Sequence, residues 1–265
     1  MVTIKTLQNI KAANEKIVAL TAYDASFSSI LDQAGVEVIL VGDSLGMVIH
    51  GGASTLPVTI DDMVYHARAV AKASNNALIM VDMPFMSYCT VEQALNNAAR
   101  LMKEAGAHVV KLEGTSNQIE IVRLLVANGV PVCAHLGLRP QFVHKLGGYR
   151  VQGRDEAMAK EIIADALALE AAGADIILLE CVPSKLAKEI TATVNTPVIG
   201  IGAGVDCDGQ VLVLYDMLGI TPGKRPRFSK DFLAEADKPS VSQAVLDYVD
   251  AVKTGTFPAS EHSFK

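Results

Sequence analysis

Short apolar runs alternate with longer amphipathic stretches along the chain, and this alternation restricts the fold more than any other feature of the sequence. The apolar runs are rich in valine and isoleucine, which is typical of parallel strands buried on both faces. Seven runs are predicted strands: Ile17–Thr21, Glu37–Val41, Ala77–Val81, His108–Leu112, Val130–Ala134, Asp175–Leu179 and Pro197–Ile201. Val211–Leu214 is the candidate for an eighth strand, although VLVLYDML is also compatible with a helix.

The stretches between these strands carry apolar residues at helical spacing. The predicted helices are Ser26–Gln33, Ile60–Ala73, Thr90–Ala105, Asn117–Ala127, Asp155–Ala172 and Ser184–Thr193, followed by a terminal helix at Val241–Lys253. Gly35, Gly106 and Gly173 stand where three of these helices should end. Residues 222–240 are predicted to form an irregular basic loop, and the last dozen residues an exposed tail.

Repeated βα units predict a parallel sheet, which is either open and doubly wound or closed as a barrel. The chain has 265 residues, of which 50% are hydrophobic, and no linker or break in composition divides it. That length suits one large barrel. We therefore expect an α/β fold, a (β/α)8 TIM barrel forming a single domain over residues 1–265, with a C-terminal helix and a short tail.

Composition argues against several classes of partner. The net charge of −6 is spread along the chain, whereas a nucleic-acid-binding protein would need a basic face. We see no apolar run of about 18 residues, the length of a membrane helix, and no apolar stretch of a signal peptide at the N-terminus. The four cysteines form no C-x-x-C pair. These features favour a cytoplasmic protein with small-molecule substrates and no nucleic-acid or membrane partner.

Polar and charged residues follow almost every predicted strand. In order along the chain they are Asp43 and Ser44, Asp82, Lys111 and Glu113, His135, and Glu180. Barrel enzymes place their active sites at the carboxyl ends of the strands. If the sheet closes, these side chains are expected to meet at one mouth of the barrel.

Asp43 and Asp82 are the best candidates for a pair of metal ligands. Mg²⁺ commonly binds one or two carboxylates and keeps other positions for water or substrate. The alternative is that each aspartate caps a helix or closes a turn. A long loop follows Asp43, and Pro84 disfavours an immediate helix after Asp82, so capping explains neither position well.

Lys111 and Glu113 are two residues apart on a predicted strand and therefore share one face of it. A lysine in an apolar run is costly to bury unless it is paired or binds an anion. One interpretation is a structural Lys–Glu pair. In the other, Lys111 binds a substrate carboxylate or enolate oxygen and Glu113 lies near the metal.

Glu180 ends the apolar run ADIILLE, where partial desolvation would raise its pKa towards the range of a general base. The alternative is an ordinary acidic residue near the start of the following helix. His135, in AHLGL, is either a hydrogen-bonded core residue or a substrate contact.

Several longer segments resemble the ketopantoate hydroxymethyltransferase family. They are TAYDASF (21–27), LVGDSLGMVIHGGASTLPVT (40–59), VDMPFMSY (81–88), VKLEG (110–114), PVCAHLGLRPQ (131–141), GGYRVQGR (147–154), LALEAAGADIILLECVP (167–183), PVIGIGAG (197–204) and EHSFK (261–265). Together they extend over nearly the whole chain.

The resemblance implies a (β/α)8 barrel and a large homo-oligomer, a decamer, that acts in pantothenate and coenzyme A biosynthesis. It implies transfer of a hydroxymethyl group from 5,10-methylenetetrahydrofolate to α-ketoisovalerate, with Mg²⁺, to give ketopantoate. It further implies that Asp43, Asp82 and Glu113 belong to the Mg²⁺ site. Ser44 and Lys111 match substrate-binding positions of the family, and Glu180 matches its proton acceptor.

Two other functions fit the same residues. One is a Mg²⁺-dependent lyase or aldolase of the phosphoenolpyruvate/isocitrate lyase kind, on a similar barrel. The other is a barrel that binds a keto acid without catalysis, although burying so many charged groups costs stability unless they are used.

Overall fold

Eight parallel strands close into a barrel in the computed structural model of the chain, which describes residues 1–235 and 239–265. The strands are β1 (Ile17–Thr21), β2 (Val38–Val41), β3 (Leu78–Asp82), β4 (Val109–Glu113), β5 (Val132–Gly137), β6 (Ile176–Glu180), β7 (Val198–Ile201) and β8 (Gly209–Leu212). Each strand pairs with the next along the chain, and β8 pairs back onto β1 with Gly209 opposite Ile17. The predicted (β/α)8 barrel is confirmed.

Helices surround the barrel and connect its strands. They are α1 (Ile4–Ala12), α2 (Ala25–Gln33), α3 (Leu45–Val48), α4 (Ile60–Ala73), α5 (Val91–Ala105), α6 (Ile119–Ala127), α7 (Val143–Leu146), α8 (Glu156–Ala171), α9 (Ser184–Thr193), α10 (Leu214–Met217), α11 (Phe232–Glu235) and α12 (Val241–Lys253). Thr59, Thr90 and Asp155 accept backbone hydrogen bonds at the starts of α4, α5 and α8. Such caps satisfy N–H groups that have no partner within the helix.

The eighth strand starts at Gly209 rather than at Val211, and Leu214 belongs to α10 rather than to the strand. A Cβ atom at residue 209 would lie 2.6 Å from the backbone oxygen of Ile17. Strand β8 therefore begins at a glycine because the backbone of residue 209 lies against the backbone of Ile17. The hydrophobic pattern of residues 211–214 gives no sign of this contact.

Two predicted irregular segments contain more structure than expected. The loop after Asp43 includes α3, and the predicted loop at 222–240 includes α11, while residues 236–238 lie outside the described part of the chain. The prediction of a fully exposed C-terminal tail is wrong. Phe257 is 3% exposed and packs edge-on against Phe232 and Tyr248.

The strands place their apolar side chains in one continuous core. Seven of the polar and charged residues that follow or end the strands line a cavity at the carboxyl-terminal mouth of the barrel, whereas Asp175 and Asp208 accept backbone hydrogen bonds at the starts of β5 and β7. Tyr248 of α12 reaches the sheet and its hydroxyl donates to the carbonyl of Ala19 on β1 at 3.0 Å. Among residues 1–235 and 239–265, the structure has no helix of the length and apolarity that crossing a bilayer requires.

Candidate active site

A cavity of about 540 Å³ opens at the carboxyl ends of the strands, and all the residues predicted for the site line it. Its lining includes Asp43, Ser44, Asp82, Lys111, Glu113, His135 and Glu180. The predicted convergence of these strand ends is therefore confirmed. A shallower groove of about 750 Å³ lies outside the mouth, between segments 56–60 and 84–97, and contains none of them.

Lys111 and the two aspartates form the charged centre of the cavity. The Nζ atom of Lys111 lies 2.7 Å from Oδ1 of Asp82, and the backbone N–H of Asp43 donates to Oδ2 of Asp82 at 3.0 Å. Burial alone would lower the pKa of Lys111, but the carboxylates of Asp82, Glu113 and Asp43 outweigh it and raise that pKa. Lys111 therefore stays charged, and it pairs with Asp82 on the neighbouring strand.

Asp43 is buried with an excess of negative charge around it. Burial and then the charge of Asp82 raise the pKa of Asp43 to about 7, although Lys111 and a hydrogen bond from Gln141 act in the opposite direction. Ser44 occupies the cap position of α3 and no side-chain hydrogen bond caps this helix. The carboxylate of Asp43 therefore does not cap α3, the helix that follows it.

Glu113 is 1% exposed, at the end of β4. Its Oε2 atom accepts a hydrogen bond from the backbone of Gln141 at 3.0 Å, and its Oε1 atom has no hydrogen-bond partner among the described residues. Burial, followed by the charge of Asp43, raises the pKa of Glu113 well above its usual value. A buried oxygen without a partner is unusual and marks a position that a ligand could satisfy.

His135 links Lys111 to Glu180. Its Nδ1 atom lies 3.5 Å from Nζ of Lys111, and its Nε2 atom lies 3.3 Å from Oε2 of Glu180. Burial and the charge of Lys111 hold the pKa of His135 well below its usual value, so the ring is neutral. An ammonium group only donates, so Nδ1 accepts and Nε2 carries the proton. Nε2 itself has no hydrogen-bond partner among the described residues.

Glu180 ends β6, and its side chain is 15% exposed, to the cavity. Burial raises its pKa to about 8, although Lys111 acts against this shift. The backbone around it is tightly held: Leu138 donates to the carbonyl of Glu180 at 2.8 Å, and a Cβ atom at Gly137 would overlap that carbonyl. Glu180 therefore combines a raised pKa with a well-held backbone position at the cavity.

Ser44 follows Asp43 at the edge of the cavity. Its hydroxyl lies 2.9 Å from the hydroxyl of Tyr23, a buried residue that follows β1. Burial raises the pKa of Tyr23, so its phenol stays protonated. Ser44 is thereby held by a neutral partner and lines the cavity with its half-buried side chain.

Several residues in or beside the cavity were not among the site residues predicted from the sequence. Gln141 and Tyr88 are buried beside the acids, and Phe228 and Phe264 line the cavity. Gln141 ends the segment HLGLRPQ and Phe264 belongs to EHSFK, so the same segments that carry the family resemblance contained the signal. The carbonyl of Phe264 accepts from the backbone of Ser184 at 2.9 Å, which attaches the tail to the mouth of the barrel.

The predicted metal ligands Asp43, Asp82 and Glu113 all line the cavity. Within residues 1–235 and 239–265, the structure contains no group of three or more His, Cys, Asp or Glu side chains arranged to hold a metal ion. Asp43 and Asp82 nevertheless offer adjacent buried carboxylates, and Glu113 offers an oxygen without a partner. Mg²⁺ needs only one or two carboxylates and takes water for the rest, so the donor set fits this ion.

The fold and the site define the class: a (β/α)8-barrel enzyme with a buried acid–lysine centre at the carboxyl ends of its strands. A sequence model of one family, described as ketopantoate hydroxymethyltransferase, matches residues 1–260. The chain therefore belongs to the ketopantoate hydroxymethyltransferase family, which confirms the resemblance found in its motifs.

Curated relatives agree over the full length of the chain. It is 62% identical over 264 residues to 3-methyl-2-oxobutanoate hydroxymethyltransferase from Marinobacter nauticus, covering 100% of this chain and 99% of the relative. It is 60% identical over 263 residues to the enzyme of the same name from Alkalilimnicola ehrlichii, covering 99% of this chain and 94% of the relative.

Solved structures show a similar barrel at much lower identity. A 2,3-dimethylmalate lyase of the PEP mutase/isocitrate lyase superfamily matches with a TM-score of 0.62 and 15% identity, covering 100% of this chain and 99% of that chain. A phosphoenolpyruvate phosphomutase from Streptomyces platensis subsp. rosaceus matches with a TM-score of 0.61 and 14% identity, covering 82% and 83%. At this identity the likeness concerns the fold alone.

Proposed function

We propose that the chain transfers a hydroxymethyl group from 5,10-methylenetetrahydrofolate to α-ketoisovalerate (3-methyl-2-oxobutanoate) and so forms ketopantoate. The observation that carries the proposal is the placement of Glu180, a carboxyl with a pKa raised to about 8, in the same cavity as the buried Lys111–Asp82 pair. A base and a fixed positive charge in one cavity are what proton removal next to a ketone requires. The names of the family and of its curated relatives support the keto-acid substrate, and the folate co-substrate is what the resemblance to the family implies.

Glu180 accepts the proton from C3 of the keto acid, and the neutral ring of His135 lies beside its carboxylate, with 3.3 Å between Nε2 and Oε2. Lys111 places positive charge where the substrate carboxylate or the developing enolate needs it. The new bond joins C3 to the methylene carbon of the folate. That carbon leaves both folate nitrogens, and water supplies its hydroxyl, so that tetrahydrofolate is released.

Asp43 and Asp82 would hold Mg²⁺, with Glu113 beside it. When bound, this ion supplies Lewis-acid polarisation of the keto oxygen, which makes the C3 proton more acidic. In the protein itself, the adjacent carboxylates carry more negative charge than Lys111 alone balances, which supports a divalent cation at this position.

The cavity also has features that suit a second, larger substrate. Phe228, Phe264 and Tyr149 give it an aromatic wall, and the exposed side chains of Arg150 and Lys224 line it as well. Aromatic rings can pack against a pterin, and basic groups can pair with glutamate carboxylates. These residues support the assignment of a folate co-substrate to the same cavity.

The direct test is an assay of ketopantoate formation from both substrates with Mg²⁺, repeated with EDTA and repeated without methylenetetrahydrofolate. We expect product only in the complete mixture. A lyase of the PEP mutase/isocitrate lyase kind would give no ketopantoate and would cleave its substrate without folate. A binding protein would retain affinity for the keto acid but show neither turnover nor proton exchange, and either result would overturn the proposal.

A further inference from the structure

Gln141 is a buried residue in the turn after β5 that contacts three parts of the acidic centre at once. Its Nε2 atom donates to Oδ2 of Asp43 at 2.8 Å and to the carbonyl of Met83 at 3.0 Å. Its backbone N–H donates to Oε2 of Glu113 at 3.0 Å. The residue therefore connects Asp43, which follows β2, with Glu113, the last residue of β4, although these two strands do not pair with each other.

The amide of Gln141 has a fixed orientation. The hydroxyl of Tyr88 donates to its Oε1 atom at 2.5 Å, and the backbone N–H of Glu113 donates to that hydroxyl at 3.3 Å. With Oε1 accepting from Tyr88, the amide nitrogen must face Asp43 and Met83. Both donors of the amide and its acceptor are thus in use, so rotation of the side chain would break several buried hydrogen bonds.

These contacts occupy only one oxygen of each acid. Gln141 engages Oδ2 of Asp43 and Oε2 of Glu113, whereas Oε1 of Glu113 has no hydrogen-bond partner among the described residues. A carboxylate held through one oxygen keeps the other available and cannot rotate away. A partner that orients metal-binding carboxylates in this way typically raises metal affinity about 10- to 100-fold.

We propose that Gln141 is a positioning residue that holds Asp43 and Glu113 in the orientation in which they bind a divalent cation, with Tyr88 fixing the amide of Gln141. This inference rests on the proposed function, because that function places the cation at these acids. A purely structural role, in which Gln141 only fills space and satisfies the turn, is the alternative that the experiment must exclude.

The test is titration of the full-length protein with Mg²⁺ and with Mn²⁺ by calorimetry, together with thermal unfolding of the metal-free protein. Gln141→Met keeps the length of the side chain and the backbone contact with Glu113 but removes the amide. We expect this variant to bind both ions about 10- to 100-fold more weakly. Gln33→Met, the same change at an exposed helical position, should leave metal affinity unchanged.

Tyr88→Phe provides a second variant in case Gln141→Met folds poorly. It should weaken metal binding in the same direction but less, and it should add nothing in the Gln141→Met background, because Tyr88 is proposed to act through the amide. If Gln141→Met bound metal as tightly as the unaltered protein, the positioning role of Gln141 would be overturned, but the proposed function would not be affected. Additive losses from the two substitutions would overturn the role given to Tyr88. Absence of metal binding by the unaltered protein would overturn the proposed metal site as well.

Discussion

Lys111 on β4 and Asp82 on the adjacent strand β3 form a buried ion pair, with 2.7 Å between Nζ and Oδ1. The same ammonium lies 3.5 Å from the ring of His135, which contacts Glu180. One positive charge therefore lies against Asp82 and is separated from Glu180 by the ring of His135. This arrangement explains why a lysine occurs in an otherwise apolar strand.

Replacing Lys111 with methionine should remove this charge while keeping most of the side-chain volume. We expect C3 proton exchange of the keto acid to fall about 100- to 1000-fold, because removing one preorganised electrostatic group has effects of this size. Deuterium incorporation measured by NMR checks the prediction. Lys188→Met, at an exposed lysine that pairs with Asp206, is the matched control and should retain full activity. Exchange at the normal rate in Lys111→Met would contradict the assigned role.

The raised pKa of Glu180 predicts the pH dependence of proton exchange. Burial raises this pKa to about 8, and the base must be deprotonated to act. In the metal-free protein the fraction of active base should therefore increase with pH, reach one half near pH 8 and level off about one to two units higher. Exchange rates with Mg²⁺ should rise in the same direction, at lower pH, because a nearby cation favours the carboxylate. A rate that falls as the pH rises from about 6 to 8 would contradict a carboxylate base.

Asp32 is expected to contribute to stability rather than to catalysis. Its carboxylate accepts hydrogen bonds from the backbone of Asn75, Asn76 and Ala77 and from the hydroxyl of Ser74, which ties α2 to the turn before β3. Burial acts to raise its pKa, but these donors outweigh it and lower the pKa to about 2. Asp32→Asn places an amide against these donors and should lower the free energy of unfolding by about 2–4 kcal/mol.

The effect of Asp32 should also depend on pH. Because its folded pKa lies below the unfolded value of about 4, its stabilisation is fully present above that value and is lost as the pH falls towards about 2. Chemical denaturation of Asp32→Asn and the unaltered protein at several pH values measures the difference. Asp61→Asn, at an exposed aspartate paired with Arg100, should change stability little. A difference that grows in acid would contradict the assignment.

The C-terminal tail is expected to take part in substrate binding. Phe264 lines the cavity, and its carbonyl accepts from the backbone of Ser184 at 2.9 Å. Phe264→Ala should weaken binding of the substrates about 10-fold, the loss expected from removing a large apolar contact. Calorimetry with the keto acid and the KM for methylenetetrahydrofolate measure it, with the exposed Lys265→Ala as control. Unchanged values for both substrates would exclude this role.

The sequence predicts a parallel α/β fold because seven of the eight strands are marked by a local hydrophobic pattern, which depends on neighbouring residues only. The length of the chain and the absence of a break in composition favour one closed barrel over an open sheet. The positions of Asp43, Lys111 and Glu180 were predictable for a related reason. A charged residue at the end of a buried strand stands out against its apolar neighbours, and barrel closure brings all strand ends to one mouth.

Features that depend on distant contacts were not predictable from local pattern. The start of β8 at Gly209 is set by its approach to Ile17, and the burial of Phe257 is set by α12. The contacts of Gln141 with Asp43 and Glu113 join segments far apart in the chain, and a glutamine in a turn carries no signal of its own. Side-chain pairing of this kind is visible only once the barrel is closed.

The most direct test of the account is deuterium exchange at C3 of α-ketoisovalerate in D₂O with Mg²⁺ and without folate, comparing the unaltered protein with Glu180→Gln. We expect rapid exchange in the unaltered protein, none above the protein-free rate in Glu180→Gln, and retained keto-acid binding in both. Rapid exchange catalysed by Glu180→Gln would contradict it.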